Sequence, residues 1–153
     1  MYIILVITAL LLDQAMKFWT VSHLKLGESQ HFLPGIVSLH HIRNFGAAWG
    51  VFSHSRIFLL LITLLASCFI IHLMRQEIHR SKALATGYAL VLSGALGNGL
   101  DRFRLGYVVD MFDFDFINFP IFNLADCFIS LGVVILLLAY LYLDKQKEKG
   151  AML

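Results

Sequence analysis

Apolar residues along this chain gather into four long runs, at residues 2–21, 57–74, 83–100 and 121–143. A helix needs about 20 residues to cross a hydrocarbon core of about 30 Å, so each run predicts a membrane span. Between them lie a long loop at 22–56, a connector, RQEIHRSK, at 75–82, a second loop at 101–120 and a charged tail at 144–153. Residues 1–153 are therefore expected to form one membrane-embedded domain. Both loops carry strand signals. GIVSLHHIRN follows a Pro34-Gly35 turn signal and reads as β-structure. MFDFDFIN alternates phenylalanine with other residues at period two. That pattern predicts a strand with one aromatic face, resting on the membrane surface or covering the bundle.

Composition agrees. The chain is 59% hydrophobic and 14% charged, with a mean hydropathy of +0.77, whereas a soluble domain has about 25% charged residues. A net charge of +2, with scattered basic residues, points away from nucleic acid. Basic residues near the spans set orientation. The connector holds Arg75, Arg80 and Lys82, and the tail holds Lys145, Lys147 and Lys149. Both are expected to be cytoplasmic together with the N-terminus, leaving the two long loops outside. The first run lacks the basic start and cleavage site of a signal peptide and contains Asp13 and Lys17, so it is expected to be retained as a helix. Phe18-Trp19 fits an interfacial belt. Cys68 and Cys127 read as small, buried apolar residues rather than a disulfide pair.

Candidate chemistry lies in the polar residues of the spans. Asp13 and Lys17 would each cost about 2.5–3.5 kcal/mol at the bilayer centre. Their i, i+4 spacing places them on one helix face, as a neutralised pair gluing the bundle, as support for a site, or both. Gly94 and Gly97 allow close helix approach. Asn98 and Arg102 share a face of the third span, in a site or as a capping anchor, and Asp101 reads as a local structural acid. Asn123 and Asp126 share a face of the fourth. The second loop is long enough to fold back and bring Asp110 against Asp126. Two carboxyls forced together share a proton, so that one activates water while the other donates to a carbonyl. Asp113 and Asp115 read as the wet face of a strand. The seven histidines show no metal-ligand spacing.

Five segments carry a resemblance: DQAMK at 13–17, NFGAAWG at 44–50, GALGNGLDR at 94–102, GYVVDMFDF at 106–114 and FNLADC at 122–127. In order and spacing they make nearly the whole chain similar to the lipoprotein signal peptidases, signal peptidase II, of bacterial inner membranes. The resemblance implies an α-helical integral membrane protein, with four transmembrane helices and a small β-sheet, or cradle, formed by the extracytoplasmic loops. It implies an aspartic endopeptidase that removes the signal peptide from diacylglyceryl-modified prolipoproteins just before the lipidated cysteine. Asp110 and Asp126 map to the catalytic pair. Asp13, Lys17, Asn44, Gly94, Asn98, Arg102 and Asn123 map to supporting positions. Asn98, Arg102 and Asn123 would orient the dyad and peptide, Asp13 and Lys17 would brace the helices behind, and Asn44 would fix the first outer loop. No cofactor or metal is implied. The expected partners are the prolipoprotein, membrane lipids and globomycin-type cyclic peptide inhibitors, acting on a monomer. Gly99 and Cys127 depart from the family's commoner residues. Among rival functions, a proton path would spread acids through the full membrane thickness, and none lies in the connector-side half of the last three spans. A non-catalytic assembly subunit would tolerate Asp110→Asn and Asp126→Asn. A lipid-modifying transferase would need phosphate-and-metal acid clusters, which are missing.

Overall fold

In the computed structural model, which describes residues 1–46, 52 and 55–151, seven elements follow in the order α1 (Tyr2–His23), β1 (Ser29–Leu33), β2 (Val37–Asn44), α2 (Arg56–Glu77), α3 (Lys82–Arg104), β3 (Val108–Phe114) and α4 (Leu124–Ala151). The four helices are long and apolar enough to cross a membrane. The three strands form an antiparallel sheet of order β1-β2-β3 at one end of the bundle. Residues 47–50 of the NFGAAWG motif lie outside the described residues.

The packing is inverted relative to a soluble bundle. In α1 the buried residues are Ala9, Asp13, Lys17 and Thr20, a single stripe at helical spacing, while Ile3, Ile4, Leu11, Leu12 and Phe18 are exposed. Hydrocarbon outside the bundle is as apolar as leucine, so apolar side chains gain little by turning inward, and small and polar residues make the helix contacts. Helix α3 is the hub, packing against α1, α2 and α4. A Cβ on Gly94 would run into the Ala125 carbonyl oxygen, and one on Gly97 would stand 2.6 Å from Asp13 Oδ2. These two glycines let α4 and α1 approach α3 at the sheet end. The same physics corrects the expectation for Cys68, which is exposed on α2, while Cys127 is half-buried. A small thiol gains nothing by turning away from lipid.

Element ends differ from the sequence expectation in two informative places. Helix α3 runs on to Arg104, so Asp101 and Arg102 stand in its last turns and not in a loop. Helix α4 begins at Leu124, because Phe122 pairs with Phe112 as an isolated antiparallel bridge. At its other end α4 continues to Ala151 through the expected tail, whose lysine, glutamate and glutamine residues are good helix formers. Strand β2 matches the expected strand, β3 shares only residues 111–114 with the one expected at 111–118, and β1 carried no signal.

Strand β3 is pinned from both sides. Its Val109 and Met111 pack with Leu24 and Leu39, and alternation along the strand turns Asp110 to the other face. The buried His41 ring of β2 meets the Leu24 carbonyl at 2.8 Å, tying the sheet to the end of α1. On the other edge, the Phe112–Phe122 bridge folds the second loop back over β3. Phe114 lies 5.0 Å from Phe122 and 5.9 Å from Phe119, centroid to centroid. Phe114 of the aromatic face expected from the period-two pattern thus packs against the segment that leads into α4.

Candidate active site

Asn123 is the residue on which the site turns. It precedes the first turn of α4, where backbone N–H groups lack partners. Its Oδ1 accepts from the Asp126 amide at 3.1 Å, and its own amide donates to Asp126 Oδ2 at 3.1 Å. This reciprocal pair is a capping box, with aspartate where glutamate is more common. The capping fixes the Asp126 side chain at the start of a membrane helix. The Asn123 side chain then reaches the other way, its Nδ2 donating to Asp110 Oδ1 at 2.5 Å. One asparagine therefore joins α4 to β3 and ties both acids together. The Phe112–Phe122 bridge sets this register, since antiparallel pairing carries Asn123 beside Met111, one residue from Asp110.

Asp110 is 3% exposed. Its second oxygen accepts from Asn44 Nδ2 at 2.9 Å, and Asn44 Oδ1 accepts from the Gly46 amide at 2.9 Å. Burial pushes the Asp110 carboxyl up to about 6, against the pull of the Asn44 and Asn123 donors, and the nearby Asp126 adds to the rise. Asp126 is only half-buried, and its Oδ1 accepts from Asn98 Nδ2 at 2.8 Å.

A buried polar layer stands behind this pair. Lys17 Nζ lies 3.0 Å from Asp13 Oδ2, 2.9 Å from Asp101 Oδ2 and 2.9 Å from Asn98 Oδ1. Asp13 Oδ1 accepts from the Ala125 amide at 2.9 Å, so an acid of α1 caps the first turn of α4. Asp101 Oδ2 also accepts from the Val109 amide at 3.2 Å, which holds β3 beside α3. Gln14 Nε2 donates to Asp101 Oδ1 at 3.0 Å and Asp13 Oδ2 at 3.2 Å. Arg102 donates from Nη2 to the Gly46 carbonyl at 2.7 Å, while its buried Nε has no partner among the described residues.

Asn44, Asn98, Arg102, Asp110, Asn123 and Asp126 line one cavity of about 470 Å³, whose remaining wall is largely apolar and includes Phe114, Phe119, Phe122, Cys127 and Ile129. Asp13, Lys17 and Gly94 lie behind it, between α1, α3 and α4. All nine candidate positions thus fall in or directly behind one site. Two partners were missed. Asp101 is buried and reaches both α1 and β3, so it is not a local acid. Gln14 joins the two buried acids. The i, i+3 spacing of Asn98 and Asp101 was the available signal for the first; nothing but adjacency to Asp13 marked the second. Among the described residues no group of three histidine, cysteine, aspartate or glutamate side chains could hold a metal ion.

Two acids facing a largely apolar cavity, in a bundle of four helices long and apolar enough to cross a membrane, fit a class: a multi-pass membrane hydrolase of the aspartic kind. A family model described as signal peptidase (SPase) II matches residues 5–142. A lipoprotein signal peptidase of Enterococcus faecalis is 47% identical over 145 residues, spanning 94% of this chain and 89% of that protein. One from Streptococcus agalactiae is 45% identical over 150 residues, spanning 97% and 96%. A solved bacterial membrane enzyme superposes with a TM-score of 0.85 at 30% identity, over 95% of this chain and 90% of that one. The chain belongs to the signal peptidase II family.

Proposed function

We propose that Asp110 and Asp126 are the catalytic dyad of a prolipoprotein signal peptidase, acting on the bond just before the diacylglyceryl-modified cysteine. The dyad holds one proton and titrates as a unit. One carboxylate takes a proton from a water in the cavity while the other carboxyl donates its proton to the scissile carbonyl oxygen. Hydroxide adds to the carbonyl carbon, giving a neutral gem-diol. The first carboxyl returns its proton to the amide nitrogen while a gem-diol hydroxyl gives its proton to the other carboxylate; the C–N bond breaks, releasing the amine and leaving the new carboxyl end on the signal peptide. Asn98 and Asn123 orient the carboxyls, Arg102 holds the loop at Gly46 and faces the peptide backbone, and Asn44 ties that loop to Asp110. Asp13, Gly94 and Lys17 keep α1, α3 and α4 in register. The chain works as one membrane-embedded domain and as a monomer, with both termini cytoplasmic and the cavity at the extracytoplasmic face. There a signal-peptide helix in the bilayer and diacylglyceryl chains in the outer leaflet both reach it. Globomycin-type peptides occupy the same cavity.

The observation that carries this reading is the Asn123 bridge, which joins both acids on the wall of one cavity. The test uses purified enzyme in lipid with a diacylglyceryl-modified prolipoprotein. Asp110→Asn and Asp126→Asn are each expected to lower turnover by about 10³-fold or more, the scale of acid–base catalysis, while the protein still inserts and melts cooperatively. Turnover should survive a chelator. Unchanged turnover in either variant would falsify the dyad.

A further inference from the structure

Lys17 is 3% exposed and sits one layer behind the reacting groups. An ammonium has three hydrogens and no acceptor. Here all three are used, on Asp13 Oδ2, Asp101 Oδ2 and Asn98 Oδ1. The two carboxylates account for a charge pairing. The third bond does something different, because Asn98 is neutral and has two unlike ends. A group that can only donate compels Asn98 to present its oxygen towards α1. Its NH2 then faces the cavity side, where Asp126 Oδ1 accepts it at 2.8 Å. With the amide turned the other way, its NH2 would face the Lys17 ammonium and its oxygen would face the Asp126 carboxylate, and both bonds would break.

We propose that Lys17 is a positioning residue for peptide hydrolysis, acting through Asn98: it fixes the sense of that amide and so aims a donor at Asp126. The proposal rests on the assignment of Asp126 to the dyad. The path is Lys17 Nζ to Asn98 Oδ1, then Asn98 Nδ2 to Asp126 Oδ1, and it crosses from α1 through α3 to α4. Asp126 is held on its other oxygen by the Asn123 amide, so the Asn98 bond is the contact that stops the carboxylate from rotating about its capping bond. Bracing alone would need no particular amide orientation.

The test separates bracing from positioning. A single Lys17→Met substitution leaves Asp13 and Asp101 buried without a cation, a costly state. The compensated variant Asp13→Asn/Lys17→Met/Asp101→Asn removes the charge problem. It is expected to lose about 10²-fold in kcat, the scale of a misplaced reacting group, with KM within about twofold of wild type. In an Asn98→Ala background the same three changes should cost under about threefold, since the path is already cut. Wild-type kcat in the compensated variant, or an undiminished loss in the Asn98→Ala background, overturns the proposal. If the compensated variant does not fold, Asn98→Asp decides: it keeps an acceptor for Lys17 but has no N–H for Asp126. Loss of kcat as large as in Asn98→Ala supports the path, and near-normal kcat overturns it. Failure of the dyad itself is read separately, as turnover in Asp126→Asn whatever the Lys17 variants do.

Discussion

At the scale of single residues, the two acids live in unlike surroundings. Asp110 is almost wholly buried on a strand, and Asp126 is half-exposed in a capped helix turn. A carboxyl held above its unfolded value binds its proton more tightly in the folded protein. Asp110 therefore contributes stability that is full below pH 3.8 and is lost as pH rises through about 6. If Asp110 and Asp126 form the proposed dyad, kcat/KM is expected to show an alkaline limb that belongs to the two acids as a pair. Asn44 donates to the charged form of Asp110 and so holds that limb down. Asn44→Ala should lower kcat/KM and at the same time move the alkaline limb upward, by up to about one pH unit. A pH–rate profile of the variant checks this. A limb that stays in place or moves down would mean that the Asn44 bond does not govern the proton.

At the scale of elements, the site exists because α4 starts where α3 has no side chain. The ideal Cβ of Gly94 meets the Ala125 backbone and stands 2.6 Å from Ile129 Cγ1. Ala125 directly precedes Asp126, so pushing this turn outward displaces the capping box and the dyad together. Gly94→Ala is expected to destabilise by about 1–3 kcal/mol, as overpacking does, and to reduce turnover. Gly99→Ala is the control. Its Cβ meets only the Thr63 side chain of α2, 2.9 Å from Cγ2, on the face away from α4, so it should leave turnover near wild type. Thermal unfolding in detergent and prolipoprotein cleavage measure the two effects, and equal losses of turnover would refute the distinction. Much of this level was legible in the sequence. Long apolar runs give the spans directly, because a bilayer demands length and composition alone. The alternating Phe residues gave only the second half of β3, and the conspicuous cost of acids in apolar surroundings marked Asp13, Asp110 and Asp126. What escaped is what depends on partners distant along the chain. Strand β1 is exposed at all five positions, so no burial pattern marks it. Asp101 earns its place through bonds to Lys17, Gln14 and Val109, and the capping box of Asn123 emerges only once Phe122 is known to end a strand pairing.

At the scale of the whole molecule, the sheet and the cavity share one end of the bundle, and the short connector and the end of α4 share the other. Chemistry and membrane topology are therefore linked. Arg75, Arg80 and Lys82 stand at the connector, with Lys145 and Lys147 near the end of α4. If positive residues in short segments stay cytoplasmic here, the sheet end and the proposed dyad face outside. A lipid-modified substrate whose signal helix spans the bilayer would then present its cleavage site at that level. Single cysteines in a Cys68→Ala/Cys127→Ala background report on this. Gln30→Cys lies in the exposed strand β1, and Ser81→Cys lies at the connector. In intact bacterial cells a membrane-impermeant maleimide is expected to label Gln30→Cys at once and Ser81→Cys only after the membrane is permeabilised. The reverse pattern would turn the molecule over. It would place the cavity on the cytoplasmic side, away from the outer leaflet in which the diacylglyceryl chains are expected, and the proposed reaction would lose its access to substrate.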